Sequence, residues 1–158
     1  MHSSVALATF LVAQIASPSP APATAAPLPI HIAVDASALK GLPRQTVSLT
    51  AEDGKPAKYE GVALRDVLTK AGLPAGHAIR GDAMRDVVVV GATDGYRVAF
   101  GLAELDPDFS DHIVLIADTQ DGAPLSAREG PYQLIVPGDK HAQRWVRNVN
   151  AVDIERIP

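Results

Sequence analysis

The sequence predicts a strand-rich α+β fold, with mainly antiparallel or mixed sheets and one clear helix. Three observations carry this expectation. Apolar residues alternate with polar ones in several short segments. Asp-Gly pairs separate those segments at Asp53-Gly54, Asp94-Gly95 and Asp121-Gly122, as hairpin turns require. Only the segment around Leu64–Ala71 changes to the three-and-four spacing of a helix. Strands joined by tight turns, without long helical crossovers, argue against a doubly wound parallel sheet.

The amino terminus reads as a leader. The apolar run Val5 to Ile15 is too short for a bilayer, which needs roughly 20 residues. A Ser/Pro/Ala stretch follows, and Ala23-Thr24-Ala25 has the small residues of a cleavage site. Residues 1–25 are therefore expected to be a signal peptide and 26–158 the mature domain, periplasmic or secreted. No stable membrane span is expected after cleavage. A buried helix or a retained anchor with a Pro-rich tether are the alternatives for this segment, and the proline content disfavours the first.

Leu28, Ile30, Ile32 and Val34 alternate with Pro29, His31 and Ala33, which predicts a half-buried strand. Asp35 to Gly41 predicts a short helix or turn. Thr46–Thr50 and Ala57–Glu60 predict a hairpin about Asp53-Gly54. In the helix, Leu64, Val67, Leu68 and Ala71 form the apolar face, Gly72 the C′ cap, and Pro74 follows. Ala75–Arg85 reads as a loop with room for one helical turn. Val87–Val90 predicts a strand buried on both faces, and Tyr96–Phe100 its return. Leu102–Leu105 suits one helical turn, His112–Ala117 another buried strand, and Tyr132–Val136 a strand stopped by Pro137-Gly138. Val149–Ile157 predicts a last strand with Val152 and Ile154 on one face.

Composition narrows the chemistry. The net charge of −4 excludes general nucleic-acid binding. With no cysteine, the chain has neither disulfides nor thiolate chemistry. No two of His2, His31, His77, His112 and His141 stand at the i, i+4 spacing of a helical metal site. There is no Gly-x-Ser-x-Gly elbow, phosphate loop or dinucleotide fingerprint. Glu104, Asp106, Asp108, Asp111, Asp118 and Asp121 lack the central Gly and terminal Glu of a calcium loop, so they read as a solvated acidic face. Lys140, His141, Arg144 and Arg147 gather after Pro137-Gly138. Such a cluster suits a phosphate, and Arg144 beside Trp145 suits a planar group. The competing reading makes Trp145 a core anchor with the cations solvated.

Several segments occur in a recognisable order: Tyr59-Glu60-Gly61-Val62-Ala63-Leu64 before the helix, Asp94-Gly95-Tyr96, Gly130 through Gly138, then Arg144-Trp145-Val146. This set resembles the molybdopterin-binding domain of the sulfite oxidase family, and more closely its small stand-alone exported members. The resemblance covers about Gln45 to Ile157 and implies a mixed, strand-rich α+β fold. It also implies molybdopterin as cofactor. In the family's enzymes a cysteine upstream of the segment matching Tyr59–Leu64 binds molybdenum. Here Val47 to Asp53 stands in that region without a cysteine, so the resemblance does not extend to the metal. Asp94, Tyr96, Lys140, His141 and Arg144 are the residues expected to line the cofactor pocket; Asp94-Gly95 also reads as a hairpin turn alone. No catalytic residue and no metal ligand is assigned. The expected function is a pterin-binding or small-anion-binding module, or a partner module. The alternatives are an oxidoreductase whose site is completed by a partner or a non-cysteine ligand, and a cell-envelope interaction protein without ligand.

Overall fold

The computed structural model describes residues 27–50 and 54–158. The expected signal peptide and Asp53 lie outside the described residues. Among the described residues, nine strands form two antiparallel sheets, with two short α-helices and four short 3-10 helices. The expected strand-rich α+β class with antiparallel sheets is observed. Among the described residues no helix is long and apolar enough to cross a membrane.

The first sheet has the order β1 (Ile30–Ala33), β9 (Val149–Arg156), β4 (Asp86–Ala92) and β5 (Arg97–Gly101). Its inner face carries Val88, Val90, Val98, Phe100, Val152 and Ile154. The second sheet runs β2 (Arg44–Thr50), β3 (Pro56–Ala63), β6 (Leu115–Gln120) and β7 (Ala123–Pro124), with β8 (Gln133–Ile135) also on β6. Val62, Ile116 and Leu134 face the same core from this side. Each fully buried Leu, Ile, Val or Phe contributes about 1.5–3 kcal/mol, so this shared core is the main source of cohesion.

Helix α2 (Leu64–Lys70) closes the core with Leu64, Val67 and Leu68. Its end is a Schellman motif: Gly72 N–H donates to Thr69 O at 2.9 Å and Leu73 N–H to Leu68 O at 3.1 Å. Gly72 has φ +91°, the left-handed conformation that this cap requires. The four-residue α1 (Ala36–Leu39) is capped by Asp35, whose carboxylate accepts from the Ser37 and Ala38 N–H groups. Lys70 ties the two helices together by donating to Ser37 O, Ala38 O and Lys40 O.

The second sheet has apolar residues on its other face too. Ala57, Tyr59, Leu115, Ala117 and Ile135 form a smaller cluster there, flanked by Val47, Leu49, Leu125 and Trp145. Strand β6 bulges at Asp118, which has no partner between the Glu60–Thr119 and Gly61–Ala117 pairs with β3. At Gly61 a Cβ would stand 2.0 Å from Ile116 O, so only glycine fits.

Three expectations need correction. Val87 and Val89 are half-buried, because the first sheet has one core face and one wet face bearing His31, Arg97 and Asp153. His112, Ile113 and Val114 precede β6, which begins at Leu115. The acidic stretch is not wholly solvated: Asp106 is buried and pairs with Arg65 at 3.0 Å, while accepting from Gly76 and Asp108 N–H groups.

The close approach at Gly61 predicts that Gly61→Ala costs about 3 kcal/mol through overpacking against backbone. Gly72→Ala, at a position with φ +91°, should cost about 1 kcal/mol. Urea unfolding of both variants tests this ranking; equal losses would contradict it.

Candidate functional site

The outer face of the second sheet opens into a cleft of about 690 Å³. Its floor is built from alternation: Ala57 and Tyr59 face the same way on β3, and Gln133 stands opposite Ala117 across β8 and β6. Tyr59 packs edge-on against Trp145, with ring centroids 6.1 Å apart and planes at 83°. Trp145 is fixed in turn because its Nε1–H donates to Val136 O at 3.0 Å.

The walls come from the turns around the sheet. Asp94 and Tyr96, in the β4–β5 hairpin, line one side. Asp94 accepts the Tyr96 N–H at 2.9 Å, and Tyr96 Oη donates to Gln143 O at 2.6 Å, tying this hairpin to the 142–144 turn. Asp94 thus belongs to the hairpin turn and also stands on the wall of the cleft. Lys55, Arg128 and Arg147 bring cationic side chains to the cleft, and Asp94, Asp121 and Glu129 bring carboxylates. Asp121 also accepts the Lys58 N–H at 2.8 Å, and Glu129 accepts from Ser126 Oγ at 2.7 Å.

Gln133 is the unusual member of the floor. It is 4 % exposed, and its Oε1 has no hydrogen-bond partner among the described residues. An unmet buried acceptor costs about 1–3 kcal/mol, which a ligand N–H would recover. The neighbouring residues of β8, Leu134 and Ile135, are fully buried and apolar. A polar residue in that apolar run was the available sequence signal, and sequence reasoning missed it.

The five residues expected to line the site divide. Asp94 and Tyr96 line the cleft, whereas Lys140, His141 and Arg144 do not. Lys140 and His141 are exposed. Arg144 makes a two-pronged pair with Asp139, at 2.8 and 2.6 Å, and a third bond to Glu104 at 2.8 Å. Its guanidinium lies 4.6 Å from the ring centre of Phe100 and so stacks there, not on Trp145. Among the late cations, Arg147 is the one that lines the cleft. Lys55 and Arg128, distant in sequence, were not anticipated.

The model of the oxidoreductase molybdopterin-binding domain family matches residues 34–157. The chain belongs to this family, whose domain is of the sulfite oxidase type. No curated protein is matched. The donor set of the cleft suits the organic part of molybdopterin. Gln133 Oε1 would accept from a ring N–H, the Tyr59–Trp145 pair would offer apolar edges, and Lys55, Arg128 and Arg147 would suit a phosphate. For molybdenum the sequence offers no cysteine as a soft ligand. Among the described residues no group of three or more His, Cys, Asp or Glu side chains is placed to hold a metal. Ser48 and Thr50, in the region where the resemblance puts the thiolate, are exposed on β2, and 51–53 lie outside the described residues.

The Asp139–Arg144 pair has a pH signature. Hydrogen bonds from Arg144 hold the Asp139 carboxyl below its ordinary value of 3.8, against an opposing effect of burial. Because the folded value is lowered, the stabilisation is complete above 3.8 and is lost as pH falls through the lower folded value. Both side chains are partly solvated, so the pair contributes at most about 1 kcal/mol. Asp139→Asn should therefore be less stable than the native chain at pH 7, and the gap should close in acid below about 3.8. Denaturant titrations across that range check the sign.

Proposed function

We propose that this protein is an exported molybdopterin-binding domain that holds the pterin in the cleft and contributes no protein ligand to molybdenum. The observation that carries this reading is the buried, unpartnered Oε1 of Gln133 at the floor of the cleft. A pterin presents amide and amino N–H groups along one edge, which match an acceptor, and its phosphate matches the cations Lys55, Arg128 and Arg147. Other small anions that join a flat N–H-bearing ring to a phosphate share this chemistry.

The absence of a thiolate supports a carrier, sensor or partner module without independent oxidoreductase activity. Molybdenum in such sites relies on a soft ligand, and hydroxyl groups are poor substitutes. Export rests on the apolar run Val5 to Ile15 and the Ala23-Thr24-Ala25 site.

The test uses protein isolated from a periplasm that produces molybdenum cofactor. Pterin is measured by fluorescence after acidic oxidation and molybdenum by mass spectrometry on the same sample. Pterin near one per chain with little metal is the expected result. Stoichiometric metal with turnover would overturn the carrier reading, and folded protein with neither would overturn the pterin assignment. Gln133→Leu should lower pterin retention about tenfold, one charge-free hydrogen bond's worth, without loss of stability. Unchanged pterin content in that variant would show that Gln133 does not read the ligand.

A further inference from the structure

A second hollow, of about 330 Å³, lies beside the start of α2 and shares no lining residue with the cleft. Two of its lining residues carry buried polar atoms without partners: Arg65 Nη1 and Asp66 Oδ2. Arg65 is 7 % exposed. Its Nε pairs with Asp106 at 3.0 Å and its Nη2 donates to Pro74 O at 2.6 Å, so the guanidinium is held rigidly with the Nη1 NH₂ group left over. Asp66 lines the same hollow with an acceptor left over. A donor and an acceptor thus wait on neighbouring residues.

One bridging water would occupy about 30 Å³, roughly a tenth of this space. The rest of the wall is apolar at Leu105, Pro107 and Ile113 and polar at Gln45, Ser110 and His112. Charge selects among ligands. Asp106 already balances Arg65, and Asp66 and Asp111 add negative charge at the rim, so a second anion is disfavoured there. A neutral oxygen acceptor for Arg65 beside an N–H donor for Asp66 meets both needs.

We propose that this hollow is a second binding site, for a small aliphatic primary amide whose oxygen accepts from Arg65 Nη1 and whose NH₂ donates to Asp66 Oδ2. The aliphatic tail lies against Leu105, Pro107 and Ile113. This inference is independent of the pterin reading, because it concerns other residues and another cavity.

Isovaleramide is the probe and isovalerate its anionic control, each titrated into the ¹⁵N-labelled full chain while backbone amide shifts are followed. Saturable shifts at Asp66, His112 and Ile113 with the amide, and at least about tenfold weaker binding of the acid, are expected. Asp66→Ala should weaken the amide about tenfold. Should that variant unfold, Ile113→Ala, at an exposed position, should weaken it about threefold by shortening the wall. Equal binding of amide and acid, no shifts at the solubility limit of the amide, or unchanged affinity in the folded variants would overturn the proposal. So would a crystal soaked in isovaleramide that holds only a water between Arg65 and Asp66.

Discussion

The backbone crossing between residues 129–134 and 145–149 is the constraint on which the rest depends. Leu134 N–H donates to Val146 O at 2.8 Å, Val149 N–H to Tyr132 O at 2.9 Å, and Asn148 N–H to Glu129 O at 2.9 Å. The first segment carries β8 of the second sheet, and the second leads into β9, an inner strand of the first. These bonds therefore join the sheets at one side of the core. They also place Trp145 and Arg147 beside Gln133, on the face of the second sheet that opens into the cleft. Val146, fully buried between them, anchors the crossing in the core.

Charge is used differently in different places, and burial decides how much it matters. Arg144 is satisfied by Asp139 and Glu104 near solvent, where such pairs contribute little. Its role is positional: it steadies the loop that delivers Trp145. Arg65 and Asp106 are both buried, and breaking such a pair costs about 3–5 kcal/mol because the remaining charge is stranded. Asp86, also buried, is held in the same manner by Arg156 at 2.6 and 3.0 Å. The cations that line the cleft, Lys55, Arg128 and Arg147, are therefore different residues from Arg65, Arg144 and Arg156, which brace the fold.

Much of the fold was legible in the sequence because it is set locally. The three-and-four spacing of Leu64, Val67 and Leu68 with Gly72 beyond defined α2, and the Schellman cap follows from that order. Alternation marked β1, β2 and β9, and Asp94-Gly95 and Asp121-Gly122 marked turns whose glycines have positive φ. The valine run of β4 was harder. A β-branched strand reads alike whether one face is covered or two, and only the packing left Val87 and Val89 half-wet. Asp106 was misread for a related reason. Its partner Arg65 lies far away in sequence, and an acid among acids gives no local sign of burial.

By itself, the sequence determined the family, the strand-rich class, the helix and its cap, and the absence of a thiolate, because each is a matter of composition, order or period. The tertiary structure alone decided which cations reach the cleft and which brace it. Lys140, His141 and Arg144 looked equivalent to Arg147 along the chain, yet Asp139 and Glu104 hold Arg144 away from the cleft. It also decided that Gln133 is buried with an unmet acceptor and that Arg65 and Asp66 face a common hollow. Those facts depend on which distant strands and turns meet, and a one-dimensional pattern does not contain that meeting.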